Sequence, residues 1–210
     1  MSTPRIKPNS DWRDGFLFLG NQLALDFLNT RPVQNGEPIE LLPDFSAILR
    51  WFQAADLLSS RKAVELQRRW GESARTQKTV EAIHGLRERL RKEVLNWEDG
   101  GALHSSTREE LNRLMAEHPM RTRLAASAKE LSTELYFDPQ QPEHLLAPLA
   151  HSAAILFANL DGSRVRKCRQ CVLHFHDTSK KGTRRWCSMN LCGNRVKVAA
   201  YQQRQRAEVN

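Results

Sequence analysis

Val165-Arg166-Lys167-Cys168-Arg169-Gln170-Cys171 opens, and Arg184-Arg185-Trp186-Cys187-Ser188-Met189-Asn190-Leu191-Cys192-Gly193-Asn194-Arg195 closes, a pattern that uses every cysteine of the 210-residue chain: C-x2-C, fifteen residues, C-x4-C. Two close pairs joined by a short loop bring four thiolates to the corners of a tetrahedron, as a structural zinc ion requires. The spacing therefore predicts one Zn2+ held by Cys168, Cys171, Cys187 and Cys192. His174 and His176 lie between the pairs and are alternative ligands, although four cysteines already complete a closed site. A closed site offers no position for a reactive water, and Asp177 is the only nearby carboxylate of interest, so zinc hydrolysis is not expected.

Working outward, the first pair reads as a tight knuckle between two short strands, the second continuing through His174-Phe175-His176-Asp177. Residues 177–182 form a polar turn, Arg184–Cys187 returns, and Ser188 caps a helix from about Met189 that carries Cys192 in its first turn. Knuckle, hairpin and helix make a treble-clef or zinc-ribbon-like plan. On that helix a step of about 100° per residue sets Arg195, Ala199, Gln202 and Arg206 on one stripe and Lys197, Tyr201 and Arg204 on another, with Val196 and Ala200 as an apolar seam between them. Docked by the seam, such a helix reaches phosphates with its flanks; Trp186 reads as part of a small core.

The charge is divided along the chain. The net charge is +8, but residues 161–210 hold twelve Lys/Arg against three Asp/Glu, leaving twenty basic against twenty-one acidic residues in 1–160. A concentrated basic segment attracts polyanions through counterion release. Met1–Phe16 has no apolar run of a secretory signal, no stretch of eighteen apolar residues predicts a spanning helix, and four closely paired cysteines suit a reducing cytoplasm, so a cytoplasmic protein without a membrane partner is expected. Absence of a Gly-rich phosphate loop, a His-Glu-x-x-His or a nucleophile elbow argues against an enzyme.

Residues 1–162 read as a mostly helical α+β domain with a small β-sheet, and 163–210 as the zinc module. Phe16–Leu19 is an expected strand, Asn21 a cap for a helix carrying Leu23, Ala24, Phe27 and Leu28, and Ile39–Leu42 a second strand. Asp44 opens a helix reaching about Leu58, Ser59 or Ser60 another that ends at Gly71, and the face Val80, Ile83, Leu86, Leu90, Val94, Trp97 a long one. Thr107-Arg108-Glu109-Glu110 has capping-box form, residues 121–137 alternate like a hairpin, and the Leu145–Leu160 helix kinks or begins at Pro148. Asp26, Asn29 and Thr30 close the first helix; they either bond to neighbouring backbone or line a small-molecule site that biases the zinc module.

Cys187-Ser188-Met189-x-x-Cys192-Gly193-Asn194-Arg195-x-Lys197, preceded by Phe175-x-Asp177-x-Ser179-Lys180 and Arg184-Arg185-Trp186, resembles the CGNR zinc finger of bacterial proteins. Gly20-Asn21-x-Leu23-Ala24-Leu25-Asp26-Phe27-Leu28-Asn29-Thr30, then Leu41-Leu42 and a helix containing Trp51, resembles the ABATE-type domain that accompanies this finger. The resemblance implies a stress-induced transcription regulator whose finger binds DNA, with Gly193, Asn194 and Arg195 facing it. On this reading Arg184, Arg185, Arg195, Lys197, Arg204 and Arg206 contact phosphates and Asn194 or Arg195 approaches base edges of duplex DNA, with homodimerisation and a small-molecule effector as further expectations. Two rival readings are RNA binding, through His174, His176 and Trp186 stacking on unpaired bases, and a protein-interaction module merely stapled by zinc.

Overall fold

The structure is a computed structural model and describes residues 11–34, 36–71, 73–118, 120–126 and 131–208. The chain begins with a short hairpin, β1 (Trp12–Arg13) against β2 (Phe16–Leu17), so the expected strand is only two residues long. Helix α1 (Leu23–Leu28) follows and is capped by Gln22, whose side chain accepts from the Ala24 and Leu25 amides; Asn21 stands outside it at φ 56°, a left-handed conformation that asparagine tolerates. A second hairpin, β3 (Val33–Gln34) and β4 (Glu37–Pro38), precedes Ile39–Leu42, which forms no strand. There the Ile39 amide bonds to Pro32 O and the Leu41 amide to Thr30 O, in register with β3–β4, but the return bonds of a ladder are missing because Pro32 has no N–H and the Thr30 amide bonds to Phe27 O.

Helices α2 (Phe45–Ala54) and α3 (Ser60–Trp70) start on Asp44 and Ser59, each accepting from an amide of its first turn. α2 stops short of Leu58 because Asp56 turns left-handed at φ 60° and the Leu57 and Leu58 amides fold back onto Phe52 O. The long helix α4 (Ala74–Glu98) buries Val80, Ile83, Leu86, Leu90 and Val94. α5 (Ser105–Glu117) begins before the expected capping box: Thr107 is buried and its hydroxyl donates to Glu93 on α4, which also accepts from the His104 amide. The hairpin β5 (Arg121–Ala126) with β6 (Leu131–Tyr136) agrees with the alternation in the sequence. A 3-10 turn over Pro142–Leu145 leads into α6 (Leu146–Asn159), with Pro148 in its first turn, where no intrahelical amide bond is lost.

Trp51 is fully buried at the centre of the main core, stacked on Phe18 and edge-on to Phe52. Arg87 is also buried, held by Glu40 and the Thr30 hydroxyl. As expected of a mostly helical α+β domain, the described strands of residues 1–162 form small antiparallel sheets, three two-stranded ones, with a fourth in the zinc module, and the helices supply most of the core. No described helix is long and apolar enough to cross a membrane.

The last described elements are β7 (Val165–Lys167), β8 (His174–His176) and α7 (Asn194–Glu208). A second cluster of buried side chains joins β8 and the cysteine-bearing segments to the first hairpin: Leu17 and Leu19 pack with Cys168, Leu173, Phe175, Cys187 and Cys192. Gly162 passes so close to Trp97 that a Cβ there would lie 2.5 Å from the ring.

Candidate metal centre and nucleic-acid interface

The knuckle closes by a bond from the Cys168 amide to Leu173 O, and the Arg169 amide reaches across to Arg185 O, bringing the second cysteine pair beside the first. Arg184–Cys187 returns without forming a strand. Ser188 then caps a single wide turn, Met189–Gly193, whose amides at Cys192 and Gly193 both bond to Ser188 O before α7 begins. Asp11 fixes this cap from outside, accepting from the Ser188 hydroxyl at 2.6 Å.

These bonds gather the four sulfurs within 4.8 Å of one another. Cys171 and Cys192 lie 3.7 and 3.6 Å from Cys187. A zinc ion with bonds of about 2.3 Å sets tetrahedral sulfurs about 3.8 Å apart, so the cluster has the size of a filled site. Among the described residues this is the one such cluster, and neither His174 nor His176 belongs to it. Cys171 accepts hydrogen bonds from Cys187 and from the Leu173 amide, which pull its thiol down to about 5. Cys187, sharing its proton with Cys171, is driven well up, and burial pushes Cys192 up to about 12. A divalent cation among these sulfurs holds all four as thiolates. The protein holds a single structural zinc ion on these cysteines.

Around the metal the charged residues divide. Arg184 turns inward: its amide donates to Asp177, its guanidinium donates to Trp186 O and Cys187 O and lies 4.4 Å from the Phe175 ring centroid. Asp177 is fully buried; burial works to raise its pKa, but bonds from Ser179 and the Arg184 amide outweigh it and hold the carboxyl below the usual range. It organises the 177–184 loop. Arg185 is exposed over the Trp186 ring. Gly193 is buried, and a Cβ there would lie 2.6 Å from the Met189 sulfur. Its neighbours Asn194 and Arg195, and Lys197 one residue further, are exposed. The side chains of Ala199, Ala200, Arg204 and Arg206 lie outside the described residues. Trp186 is half-buried and His174 buried, so the exposed aromatic row expected of an RNA-stacking face does not form.

Asp26, Asn29 and Thr30 are all buried and bonded to protein groups. Asp26 accepts from the Gly20 amide at 2.7 Å, and Thr30 donates to Phe27 O and accepts from Arg87. Asn29 reaches the zinc module: its Nδ2 donates to His174 O at 2.9 Å and its Oδ1 accepts from the His174 amide at 2.8 Å. Bonds from the Cys168 amide to Leu173 O and from the Asp177 amide to Arg164 O show which groups the β7–β8 ladder consumes, and those of His174 and His176 face the other way. Both ends of α1 cover that edge, for the His176 amide donates to Gly20 O and His176 O accepts from Asn21 Nδ2. Nothing in the sequence around Gly20 and Asn21 signals this contact; the nearest clue is the tight glycine, where a Cβ would lie 2.7 Å from Leu25 Cβ.

Burial shifts the titration of the His174 ring and of two carboxyls beside this clamp. Burial, with Arg91 and Lys167 nearby, pushes His174 down to about 4, and burial raises Glu98, 3.8 Å from its Nε2, to about 7. Asp26 is also raised by burial, from 3.8 to about 7, against the opposing bonds from Gly20 and Leu19. The folded protein therefore binds a proton at Asp26 that the unfolded chain has released, and this contribution to stability, full below pH 3.8, is lost as pH rises to about 7. Asp26→Asn is expected to flatten that part of the stability profile, measured as the difference between variant and wild-type urea midpoints from pH 4 to 8; parallel profiles refute it.

The model of the ABATE family, described as "Putative stress-induced transcription regulator", matches residues 21–159, two thirds of the chain. The chain belongs to the ABATE family. The CGNR zinc finger model matches residues 164–205, which contain all four zinc ligands and the start of α7. No curated protein matches the chain. The ABATE match thus includes α1, whose ends clamp β8, and the CGNR match includes the edge that they cover.

Proposed function

We propose that this ABATE-family protein is a cytoplasmic, zinc-dependent transcriptional regulator that binds duplex DNA and is not an enzyme. The observation that carries the reading is the position of α7: it leaves the zinc cluster directly after Cys192, with Asn194, Arg195 and Lys197 exposed on its first turn. The segment from 161 onward supplies an excess of nine positive charges, which a polyanion neutralises with release of counterions. Zinc fixes the helix start, Arg195, Lys197 and Arg185 meet phosphates, and Asn194 approaches base edges. Arg184 supports the site from within, through its bonds to Trp186 and Cys187. Residues 1–162 act as the regulatory and self-associating part, residues 163–210 as the DNA-binding part, and an effector acts on the first to alter the second.

Titration of the zinc-loaded chain against duplex DNA across a range of salt tests this reading. Arg195→Ala and Lys197→Ala are each expected to weaken binding to all sequences and to lower the slope of log affinity against log salt by about 0.9, one phosphate contact. Unchanged affinity and slope in both variants overturn the docking face. Preference for structured RNA over duplex DNA at equal salt overturns the choice of nucleic acid.

A further inference from the structure

Helix α7 packs chiefly on the turn that precedes it, which leaves its first two turns open along one side. Val198 is 54 % exposed and Tyr201 59 % exposed, and Asn194 is exposed one turn before them. At about 100° per residue these three fall within about 60° of one another, with Lys197 flanking the stripe on one side and Arg195 on the other. The half-buried Val196, one of the two residues of the expected apolar seam, points the opposite way, so it lies on the inner side of the helix and Val198 on the outer one. An apolar stripe between two cations is a poor match for an apolar protein groove, which would have to desolvate both charges. It matches a surface with apolar groups between two rows of anions. The major groove of duplex DNA, wide enough to admit a helix, has that form: thymine C5-methyl groups lie on its floor and phosphates line both walls.

On the reading of the chain as a duplex-DNA binder, we propose that α7 enters the major groove and that Val198 is a specificity-determining residue reading the C5-methyl of a thymine. Asn194, one turn earlier on the same stripe, is placed to pair with an adenine edge, for which an amide side chain has the matching donor and acceptor. Arg195 and Lys197 straddle the groove on its phosphates. The ligand is therefore a duplex containing A·T pairs, discriminated by a methyl contact and an amide contact.

The test uses the full zinc-loaded chain. Duplexes selected from a random library are remade with each thymine in turn replaced by deoxyuridine, which deletes the methyl and keeps the base pair. Wild-type affinity is expected to fall about four-fold at one position, the worth of one buried methyl group. Val198→Ala, a substitution that favours helix at an exposed site, is expected to show no loss at that position while retaining its zinc and its affinity for the deoxyuridine duplex. Selected sites without thymine, or equal sensitivity of variant and wild type, overturn the methyl readout while leaving duplex binding intact. Failure of the wild-type protein to bind any duplex at low salt removes the DNA-binding reading itself. Concentration-dependent self-association that Val198→Ala abolishes assigns the stripe to a second copy and overturns the proposal.

Discussion

Cys187→Ser is expected to release the zinc ion and melt the C-terminal module, the largest effect of any single substitution considered for this chain. Cys187 is fully buried and its sulfur is within 3.7 Å of Cys171 and 3.6 Å of Cys192, so no neighbour can take its place in the shell. The module's own apolar side chains are few, chiefly Leu173 and Phe175 with the half-buried Trp186 and Leu191. A segment of this size does not hold itself together by burial alone. Metal binding in structural zinc sites contributes about 10–16 kcal/mol of apparent free energy, and that is folding energy for the segment it organises. Elemental analysis should give one zinc per wild-type chain and almost none in the variant. Hydrogen exchange should show loss of protection at the Cys168, His176 and Cys192 amides. A variant that retains its zinc and that protection removes the central claim about the site.

Asn29→Ala is expected to cost about 2–6 kcal/mol, because it leaves the buried amide and carbonyl of His174 without partners, each at about 1–3 kcal/mol. Both bonds are near ideal length and Asn29 is almost fully buried, so water has no ready access to replace them. The loss falls on the joint between α1 and β8, and exchange of the His174 and His176 amides should rise more than exchange in α4. Asn29→Asp keeps the acceptor but sets a carboxylate against His174 O, and is expected to be no better than alanine. A urea midpoint within experimental error of wild type for Asn29→Ala means that the clamp does not stabilise the joint. With zinc content unchanged, the measurement separates docking of the module from its metal-dependent folding.

The clamp also shows where reading the sequence stops. Helices such as Phe45–Ala54 and Ala74–Glu98 are legible because their signals are local: Asp44 caps the first, and the second repeats apolar residues at helical spacing from Val80 to Val94. The hairpin at 121–136 is legible by alternation. Ile39–Leu42 looks like a strand by the same logic, yet the segment opposite it cannot complete a ladder, since Pro32 has no N–H and the Thr30 amide is taken by Phe27 O. Thr107 looks like a cap, but Glu93, fourteen residues earlier, takes its hydroxyl. Arg184 and Arg185 are alike in sequence, and only the tertiary arrangement sends the first inward to Phe175 and Cys187 and leaves the second on Trp186 at the surface.

The cysteine spacing by itself pointed to zinc, to four cysteine ligands and to the knuckle-then-helix plan, because a tetrahedral ion constrains residues close in sequence, and the packing then left His174 and His176 out of the cluster. The distribution of charge determined which end of the chain is basic. The tertiary structure alone decided that Asn29 serves the zinc module and that Val198 stands on the open side of α7. Those outcomes depend on which backbone edges and helix faces remain uncovered once distant segments have packed, a property that no local pattern encodes.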